Sequence, residues 1–314
     1  MRRIVTVTPN PAVDMTYHVQ RITPGSTHRV ATALVRAGGK GLNVARVAHQ
    51  LGFPVLALAP AGQGATSTEF KAELSSSGMP HRIIAVEADT RRSIAVVDSA
   101  KADTIILNEP GHHLSAAEWQ CLRAAVKDSL VPGEGILVGS GSLPTGADPD
   151  FYASLVTLAH HTGVRAIIDT SGPGLVSAAR AGADLIKPNH HELREATGED
   201  DPVLAACQLI QMGARRVLVS SGAAGMMMFD AADPATYWHA RLPYGLGGNP
   251  TGAGDAAVAA AATCLSEGIS SPDGILRAAT AWSAAAVLMP AAGEISPQYA
   301  ELADQLIVTQ KEIP

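Results

Sequence analysis

Short runs rich in valine and isoleucine alternate along the chain with longer segments in which apolar residues recur at helical spacing. The strand-like runs are residues 4–8, 55–59, 135–138, 164–169, 184–187 and 216–220. The helical segments among them are residues 42–51, 116–130, 149–161 and 203–212. Strands joined by helical crossovers pair in parallel, and the helices cover the faces of the sheet. The alternation therefore predicts an α/β fold with a doubly wound, mainly parallel sheet flanked by helices.

Two stretches depart from this alternation. Residues 28–36, and residues 92–99 followed by 103–107, have the pattern of half-buried strands with no helix between them. We predict a small antiparallel β lid, formed by excursions near 15–36 and 88–110 from a single domain that spans 1–314. A lid strand with an exposed apolar face needs a partner, which favours a homodimer through the lid. From residue 252 onward the pattern is nearly all helical, with helices predicted at 252–265, 272–288 and near 297–308.

Composition argues against several classes of protein. The formal net charge of -6 provides no general attraction to nucleic acid or to an anionic membrane, so a local cluster of cations must hold any anionic ligand. The apolar stretch at 256–265 is shorter than the roughly 20 residues that span a bilayer, and the N-terminus lacks the apolar core of a signal peptide. Three cysteines without CxxC spacing disfavour a disulfide framework or a structural zinc site. We therefore expect a soluble protein of the cytoplasm.

A glycine-rich segment with the sequence GGNPTGAGD, residues 247–255, opens the alanine-rich helix. Glycines let the backbone approach a ligand closely, and the first N–H groups of a helix lack internal partners, so this turn suits an anion. Asp255 would repel a phosphate unless those N–H groups neutralise it. The combination suits a base beside a transferring phosphoryl group. The alternative is a plain turn in which Asp255 only favours the helix N-terminus.

A second glycine-rich segment, AGGKGLN at residues 37–43, also precedes a helix. It is not a P-loop, because the GxxxxGK[ST] spacing is absent, and no GxGxxG follows the first strand. Lys40 and the helix N-terminus would both face an anionic or hydroxyl-rich substrate. The alternative is a tight turn with a solvated lysine.

These segments belong to a set of motifs that occur in one order along the chain. The set consists of TPNPAVD at 8–14, GGKGLNVA at 38–45, GSGSLP at 139–144, KPNHHE at 187–192 and GAGD at 252–255. Together they resemble the PfkB, or ribokinase-like, family of carbohydrate kinases over essentially the whole chain. The NPxxD opening, the lysine of GGKG and the GSLP run look like the branch that contains 1-phosphofructokinase, tagatose-6-phosphate kinase and the minor 6-phosphofructokinase.

The resemblance implies a ribokinase-like fold and an ATP-dependent phosphotransferase. Its acceptor would be a hydroxyl of a ketohexose phosphate, namely fructose 1-phosphate, tagatose 6-phosphate or fructose 6-phosphate, and its product the bisphosphate. Asp255 would be the catalytic base, and the N–H groups of Gly252, Ala253 and Gly254 would stabilise the developing charge.

The resemblance also assigns residues to the sugar phosphate. Asp14, Gly39 and Asn43 would bind sugar hydroxyls, because a carboxylate accepts hydrogen bonds and an amide both donates and accepts them. Four residues would receive the substrate phosphate: Arg29, Lys40, Arg91 and Ser142. For Arg29 and Arg91 the alternative is an ordinary surface charge on the lid.

For the nucleotide, the family pattern assigns a set of residues at strand ends and turns. They are Asn189, Ser220, Gly222, Gly225, Gly252 and Gly254. Asn189 and Glu192 match the family's N-x-x-E motif, in which Glu192 would act on Mg2+ through water, since Mg2+ gives up its hydration shell reluctantly. The alternative for this pair is a helix N-cap with a glutamate at the third helical position.

One residue departs from the family pattern: Pro250 stands where many relatives have threonine. The departure leaves open which ketohexose phosphate is preferred. Two other functions also remain open at this point. A kinase of an unphosphorylated sugar or nucleoside would not need Lys40 and Arg91, and a catalytically silent sugar-phosphate sensor would not need the intact GAGD motif.

Overall fold

The computed structural model describes residues 2–100 and 103–314. Within these ranges the strands are β1 (Ile4–Val7), β2 (Ala12–Val19), β3 (Leu34–Gly38), β4 (Val55–Ala61), β5 (His81–Ala85), β6 (Arg91–Asp98), β7 (Asp103–Asn108), β8 (Ile136–Ser140), β9 (Arg165–Asp169), β10 (Leu185–Ile186), β11 (Arg216–Ser220), β12 (Met226–Asp230), β13 (Asp233–Arg241) and β14 (Ile307–Glu312). The helices are α1 (Lys40–Gln50), α2 (Ala65–Ser76), α3 (Ala116–Ser129), α4 (Phe151–His161), α5 (Pro173–Arg180), α6 (His190–Thr197), α7 (Pro202–Met212), α8 (Ala253–Glu267), α9 (Pro272–Val287) and α10 (Tyr299–Asp304). None of the described helices has the length and apolar character that crossing a membrane requires.

The main sheet has the spatial order β14-β13-β12-β11-β10-β9-β8-β1-β4-β5. From β5 to β11 neighbouring strands are parallel, and from β11 to β14 they are antiparallel. The predicted doubly wound, mainly parallel sheet is therefore confirmed.

Both faces of the sheet are buried. On β1, Ile4 packs into the core formed with α1, α8 and α9, whereas Val5 and Val7 pack into the core formed with α3, α4 and α7. Successive side chains of a strand point to opposite faces, so each central strand supplies both cores. This explains why these strands read as continuous apolar runs.

A second, smaller sheet forms the lid, with the order β3-β2-β6-β7. The pairs β2–β3 and β6–β7 are antiparallel, and β2 joins β6 in parallel. The predicted small lid sheet is confirmed, although residues 101 and 102 of its second excursion lie outside the described residues. The strand predicted at 28–36 begins only at Leu34, as β3. Strand β2 begins at Ala12, before the predicted excursion, because the last three residues of the NPxxD motif are already part of it.

The C-terminal prediction is partly wrong. The helix predicted at 297–308 is shorter, because α10 ends at Asp304 and the chain then enters β14. The exposed β14 pairs with β13, from Thr236 opposite Glu312 to Arg241 opposite Ile307. This long-range pairing has no local signal.

The fold gathers the sequence motifs at one edge of the main sheet. The parallel strands β1, β8, β9, β10 and β11 all end there, and the loops that follow them carry the motifs. The N-termini of α1 and α8 lie at the same edge, where open α/β sheets bind ligands.

The turn between β11 and β12 provides a test of the fold. Gly222 has φ +55 and open space where a Cβ would lie, whereas Gly225 has φ +92 and a Cβ there would be 2.1 Å from the Ala240 carbonyl oxygen. We expect Gly222→Ala to cost about 1–2 kcal/mol, the strain of a left-handed residue. Gly225→Ala adds a backbone clash and should cost about 1–3 kcal/mol more. Urea midpoints of the two variants measure the difference, and equal midpoints would contradict the geometry.

Candidate active site

Asp255 lies in the first turn of α8 and is 6% exposed. The helix N-cap is Gly252, with φ +85, and a Cβ on it would lie 2.9 Å from the Ala292 Cα. The Asn43 Nδ2 donates a hydrogen bond of 2.8 Å to Asp255 Oδ2. This hydrogen bond connects the N-terminal turn of α1 to the candidate base at the N-terminus of α8.

A charge cluster around one buried carboxylate lies beside this base. Asp169, at the end of β9, accepts a hydrogen bond of 3.0 Å from the Ser140 Oγ. Its Oδ1 lies 3.5 Å from the Lys40 Nζ and 3.7 Å from the Lys187 Nζ. One buried carboxylate thus holds two ammonium groups at the edge where a phosphate would bind.

This cluster sets the proton affinity of the base. Burial and the neighbouring charge of Asp169 raise the pKa of Asp255 to about 7, against the opposing effects of Lys40, Asn43 and Lys187. Burial also acts to raise the pKa of Asp169, but Lys40 and Lys187 outweigh it, so that pKa lies below its ordinary value. Asp169 is therefore ionised at neutral pH, whereas Asp255 exchanges a proton there, as a general base must.

The sugar-side candidates meet at the base of the lid. Asp14 on β2 lies over the backbone of Gly38, where a Cβ would be 2.0 Å from Asp14 Oδ2. Burial raises the pKa of Asp14 to about 6, although Arg91 and the N–H of Gly39 act in the opposite direction. A half-buried carboxylate in this position is ready to accept hydrogen bonds from sugar hydroxyls.

Arg91, the first residue of β6, is held in place by its neighbours. Its Nε donates to Asn10 Oδ1 at 3.0 Å, its Nη2 to the Asn10 carbonyl at 3.2 Å and its Nη1 to the Glu109 carbonyl at 3.0 Å. The Asn10 Nδ2 in turn donates to Ser142 Oγ at 3.2 Å. A guanidinium has five N–H donors, so two remain for an anion. The alternative of a loose surface charge does not fit Arg91, and Asn10 is a member of this cluster that sequence reasoning missed.

Arg29 is not brought into this cluster. It is exposed in the irregular segment between β2 and β3, and within the described ranges it has no hydrogen bond or ion pair. Its assignment to the substrate phosphate stays a prediction.

A cavity of about 260 Å³ adjoins the glycine-rich segment that leads into α8. Of the residues assigned to the nucleotide, Gly222 and Gly225 line this cavity, together with Pro250 and Ala253, whereas Asn189, Ser220, Gly252 and Gly254 do not. The assignment of these residues to the nucleotide stays a prediction. Sequence reasoning missed the other walls: Leu242, Tyr244, Leu246, Thr280, Ser283, Ala284 and Val287. The mainly apolar lining suits a flat heterocycle.

Asn189 and Glu192 form a complete capping box. Asn189 Oδ1 accepts from the Glu192 N–H at 2.8 Å, and Glu192 Oε2 accepts from the Asn189 N–H at 2.9 Å. The alternative from the sequence, a helix cap, is therefore present. Glu192 Oε1 remains directed to the site, 3.5 Å from the Lys40 Nζ. Among the residues that the structure describes, no group of three or more acidic, histidine or cysteine side chains could hold a metal by itself.

Two other residues of the charge cluster were not predicted as site residues. Lys187 belongs to the KPNHHE motif, but the sequence assigned it no role; a Cβ on Gly254 would lie 3.2 Å from its Nζ. Gly254 therefore lets the lysine reach the N-terminus of α8. Asp169 had no signal beyond its position at the end of a predicted strand.

Comparison with known proteins identifies the family of this chain. The family model described as pfkB family carbohydrate kinase matches residues 7–298. The chain belongs to this family. The family and the fold predicted from the sequence are thereby confirmed.

Individual relatives of the pfkB family are similar over most of the chain. A 1-phosphofructokinase of Xanthomonas campestris pv. campestris is 35% identical over 306 residues, covering 94% of each protein. An ATP-dependent 6-phosphofructokinase isozyme 2 of Mycobacterium tuberculosis is 37% identical over 276 residues, which cover 85% of this chain and 78% of that protein. The structure of phosphofructokinase-2 from Escherichia coli in complex with fructose-6-phosphate matches with a TM-score of 0.84 and 30% identity, covering 97% of this chain and 99% of the other.

The raised pKa of Asp255 predicts a pH-dependent effect of Asp255→Asn on stability. Folding raises this pKa from 3.8 to about 7, so the folded state holds the proton more tightly than the unfolded chain. The contribution of this group to stability therefore falls as the pH rises from about 4 to 7 and is constant above about 7. We expect the Tm of Asp255→Asn to exceed that of the wild type by a margin that grows over this range. Asp273→Asn, in the exposed first turn of α9, is the control, and a margin independent of pH would contradict the prediction.

Proposed function

We propose that the protein transfers a phosphoryl group from ATP to a hydroxyl of a ketohexose phosphate and so forms the bisphosphate, with Asp255 as the base. The supporting observation is the position of the glycine-rich turn at residues 250–255 between two clefts. Thr251 lines a small cleft with Asp14 under the lid, whereas Pro250 and Ala253 line the larger cavity. A base on this turn would face a sugar on one side and a nucleotide on the other. The named activities of the phosphofructokinase relatives support the same reaction.

The sugar phosphate would bind between the main sheet and the lid. Asp14, the N–H of Gly39 and Asn43 Oδ1 would hold its hydroxyls, since the Asn43 amide nitrogen already donates to Asp255. Arg91, Lys40 and Ser142 would hold its phosphate, with Arg29 as a further cation from the lid. Fructose 1-phosphate, tagatose 6-phosphate and fructose 6-phosphate are the candidate substrates.

In the proposed reaction the accepting hydroxyl gives its proton to Asp255 as its oxygen attacks the γ-phosphorus. The new P–O bond forms as the bond to the leaving ADP breaks, and the proton stays on the carboxyl until product release. The charge that develops needs donors at the N-terminus of α8. The Ala253 N–H already donates to the Pro250 carbonyl at 3.2 Å. The N–H groups of Gly252 and Gly254 have no acceptor within the described ranges. They and Lys40 would therefore stabilise the developing charge more than the Ala253 N–H does.

Mg2+ would enter the site bound to the phosphates of ATP. The capping box leaves Glu192 Oε1 facing the site, which fits an ion carried by the nucleotide phosphates and contacted through water better than a cage of protein ligands. Bound there, Mg2+ would neutralise phosphate charge. Asn189 and Ser220, which are joined by a β-bridge, would position the nucleotide phosphates with Gly222 and Gly225 at the adjoining turn.

The deciding experiment is ADP release with Mg-ATP and a panel of acceptors. We expect turnover with fructose 1-phosphate, fructose 6-phosphate or tagatose 6-phosphate, and kcat/KM should identify which is preferred. Free fructose, ribose and adenosine should give at least about 10-fold lower kcat/KM, because each lacks the charge-assisted bonds of the phosphate. Turnover confined to the unphosphorylated acceptors would contradict the proposal, and no turnover with any acceptor would favour a sensor.

Two variants complete this experiment. Asp255→Asn should lose about 100-fold to 10,000-fold in kcat, the usual effect of removing a general base. The wild-type kcat/KM should fall as the pH drops below about 7, where the base of the free enzyme is protonated. Arg91→Gln should raise the KM of the sugar phosphate but leave the KM of ATP near the wild-type value. Near-normal turnover of Asp255→Asn would overturn the assignment of the base.

We further propose that two lids pair in a homodimer. The lid exposes several large apolar side chains: Leu34, Ile105, Ile106 and Leu107, each between 42% and 57% exposed. Exposed apolar strands are stabilised when another surface buries them, and the lid of a second copy of the chain would provide that surface.

The mass measured by sedimentation tests this proposal. We expect the wild type to sediment as a dimer and Leu107→Asp to shift towards the monomer. Val131→Asp, at a residue of similar exposure outside the lid, is the control and should leave the mass unchanged. A wild type that stays monomeric at all concentrations, or two variants of equal mass, would contradict lid pairing.

A further inference from the structure

Arg36 connects the lid to the body of the protein. It lies on β3, opposite Asp14 in the register of β2 and β3, and both residues line the cleft under the lid. Its guanidinium reaches out of the lid, where Nη2 pairs with the Glu294 carboxylate and Nη1 donates to the Ala292 carbonyl at 3.1 Å. Arg36 therefore joins the strand next to Asp14 to the chain between α9 and α10.

This chain segment, residues 289–296, is here named the brace loop. Ala292 covers the N-cap of α8, because a Cβ on Gly252 would lie 2.7 Å from the Ala292 Cβ. Gly293 lies against the amide of Asn43, since a Cβ at Gly293 would be 3.2 Å from Asn43 Oδ1. The brace loop thus touches both the turn that carries Asp255 and the side chain that donates to it.

The two ends of the brace loop are fixed to the core. The buried Asn249 donates from Nδ2 to the Pro290 carbonyl at 3.1 Å. Gln50, at the end of α1, binds both polar backbone groups of Ile295, with distances of 2.8 and 3.0 Å. Between these anchors, Arg36 makes a hydrogen bond and an ion pair from the lid to the loop.

We infer that Arg36 and Glu294 are positioning residues that align the base with the acceptor when the lid covers the sugar. The inference rests on the proposed function. The two side chains are 27% and 32% exposed, so their ion pair contributes little to stability by itself. The reaction rate depends more strongly than the stability on such a contact, because a displacement of about 1 Å in the reacting groups can cost about 100-fold in rate.

A rival role for Arg36 is direct contact with the phosphate of the substrate. The two roles differ in what Glu294 does. If Arg36 binds the substrate, removing the charge of Glu294 leaves the arginine in place and does not reduce turnover. If the pair aligns the base, loss of either partner reduces kcat in the same way.

The test is a double-mutant cycle with Arg36→Gln, Glu294→Gln and the double variant, measured on the full-length enzyme with its preferred acceptor. Each single variant should lower kcat by about 10-fold to 100-fold, with a smaller change in the KM of the sugar phosphate. Because the residues act as a unit, the double variant should be no slower than the slower single variant. Arg82→Gln, which breaks the exposed Arg82–Asp128 pair at 3.8 Å, is the control and should keep the wild-type kcat.

The outcomes separate this inference from the proposed function. Normal kcat for Glu294→Gln, a rise in KM alone for Arg36→Gln, or losses that multiply in the double variant would each overturn the positioning role. Melting temperatures of all variants distinguish a loss of folding from a loss of alignment, and Glu294→Gln keeps the test valid if Arg36→Gln does not fold. Failure of the proposed function would instead appear as a wild type without turnover on any sugar phosphate.

Discussion

The buried carboxylate of Asp169 is the group on which the rest of the site depends. It is fully buried and lies within 3.7 Å of both Lys40 and Lys187. Without this negative charge, the buried ammonium group of Lys187 would lose its carboxylate partner, at a high electrostatic cost, and the partly exposed Lys40 would lose one of its two. With it, both lysines are held at the carboxyl edge of the sheet. The same charge adds to the effect of burial in raising the pKa of Asp255, because a second nearby anion is unfavourable.

The lack of a Cβ at three glycines is as important to the site as the side chains that are present. Gly38 leaves room for the carboxylate of Asp14, Gly252 for Ala292, and Gly254 for the ammonium group of Lys187. At each position a Cβ would occupy the space of a group that the proposed reaction uses or of a loop that supports it. The glycine-rich motifs therefore have two physical functions: they expose backbone N–H groups to an anion, and they let side chains from other elements approach.

Much of the fold could be predicted from the sequence, because its central strands are bounded by clear turns and joined by helices with regular apolar spacing. The predictions failed where a strand depends on a distant partner. Residues 307–312 are exposed except for the half-buried Val308, so the segment has too little apolar pattern to predict a strand, and its pairing with β13 makes it one. The N-x-x-E spacing of Asn189 and Glu192 is ambiguous in the sequence, because it is typical both of magnesium handling in the family and of a helix capping box. The structure contains the capping box.

By itself the sequence determined the family, the doubly wound sheet and the order of the motif loops, because these depend on local pattern and on the rule that parallel strands end at one edge. Only the tertiary structure decided how those loops act on one another. Asn43 and Asp255 are separated by 212 positions in the chain, yet the Asn43 Nδ2 lies 2.8 Å from the Asp255 Oδ2. Arg36 and Glu294 are separated by 258 positions and form an ion pair. The proton affinity of a carboxyl depends on burial and on charges within a few ångströms, and these distances are set by packing between elements rather than by their sequences.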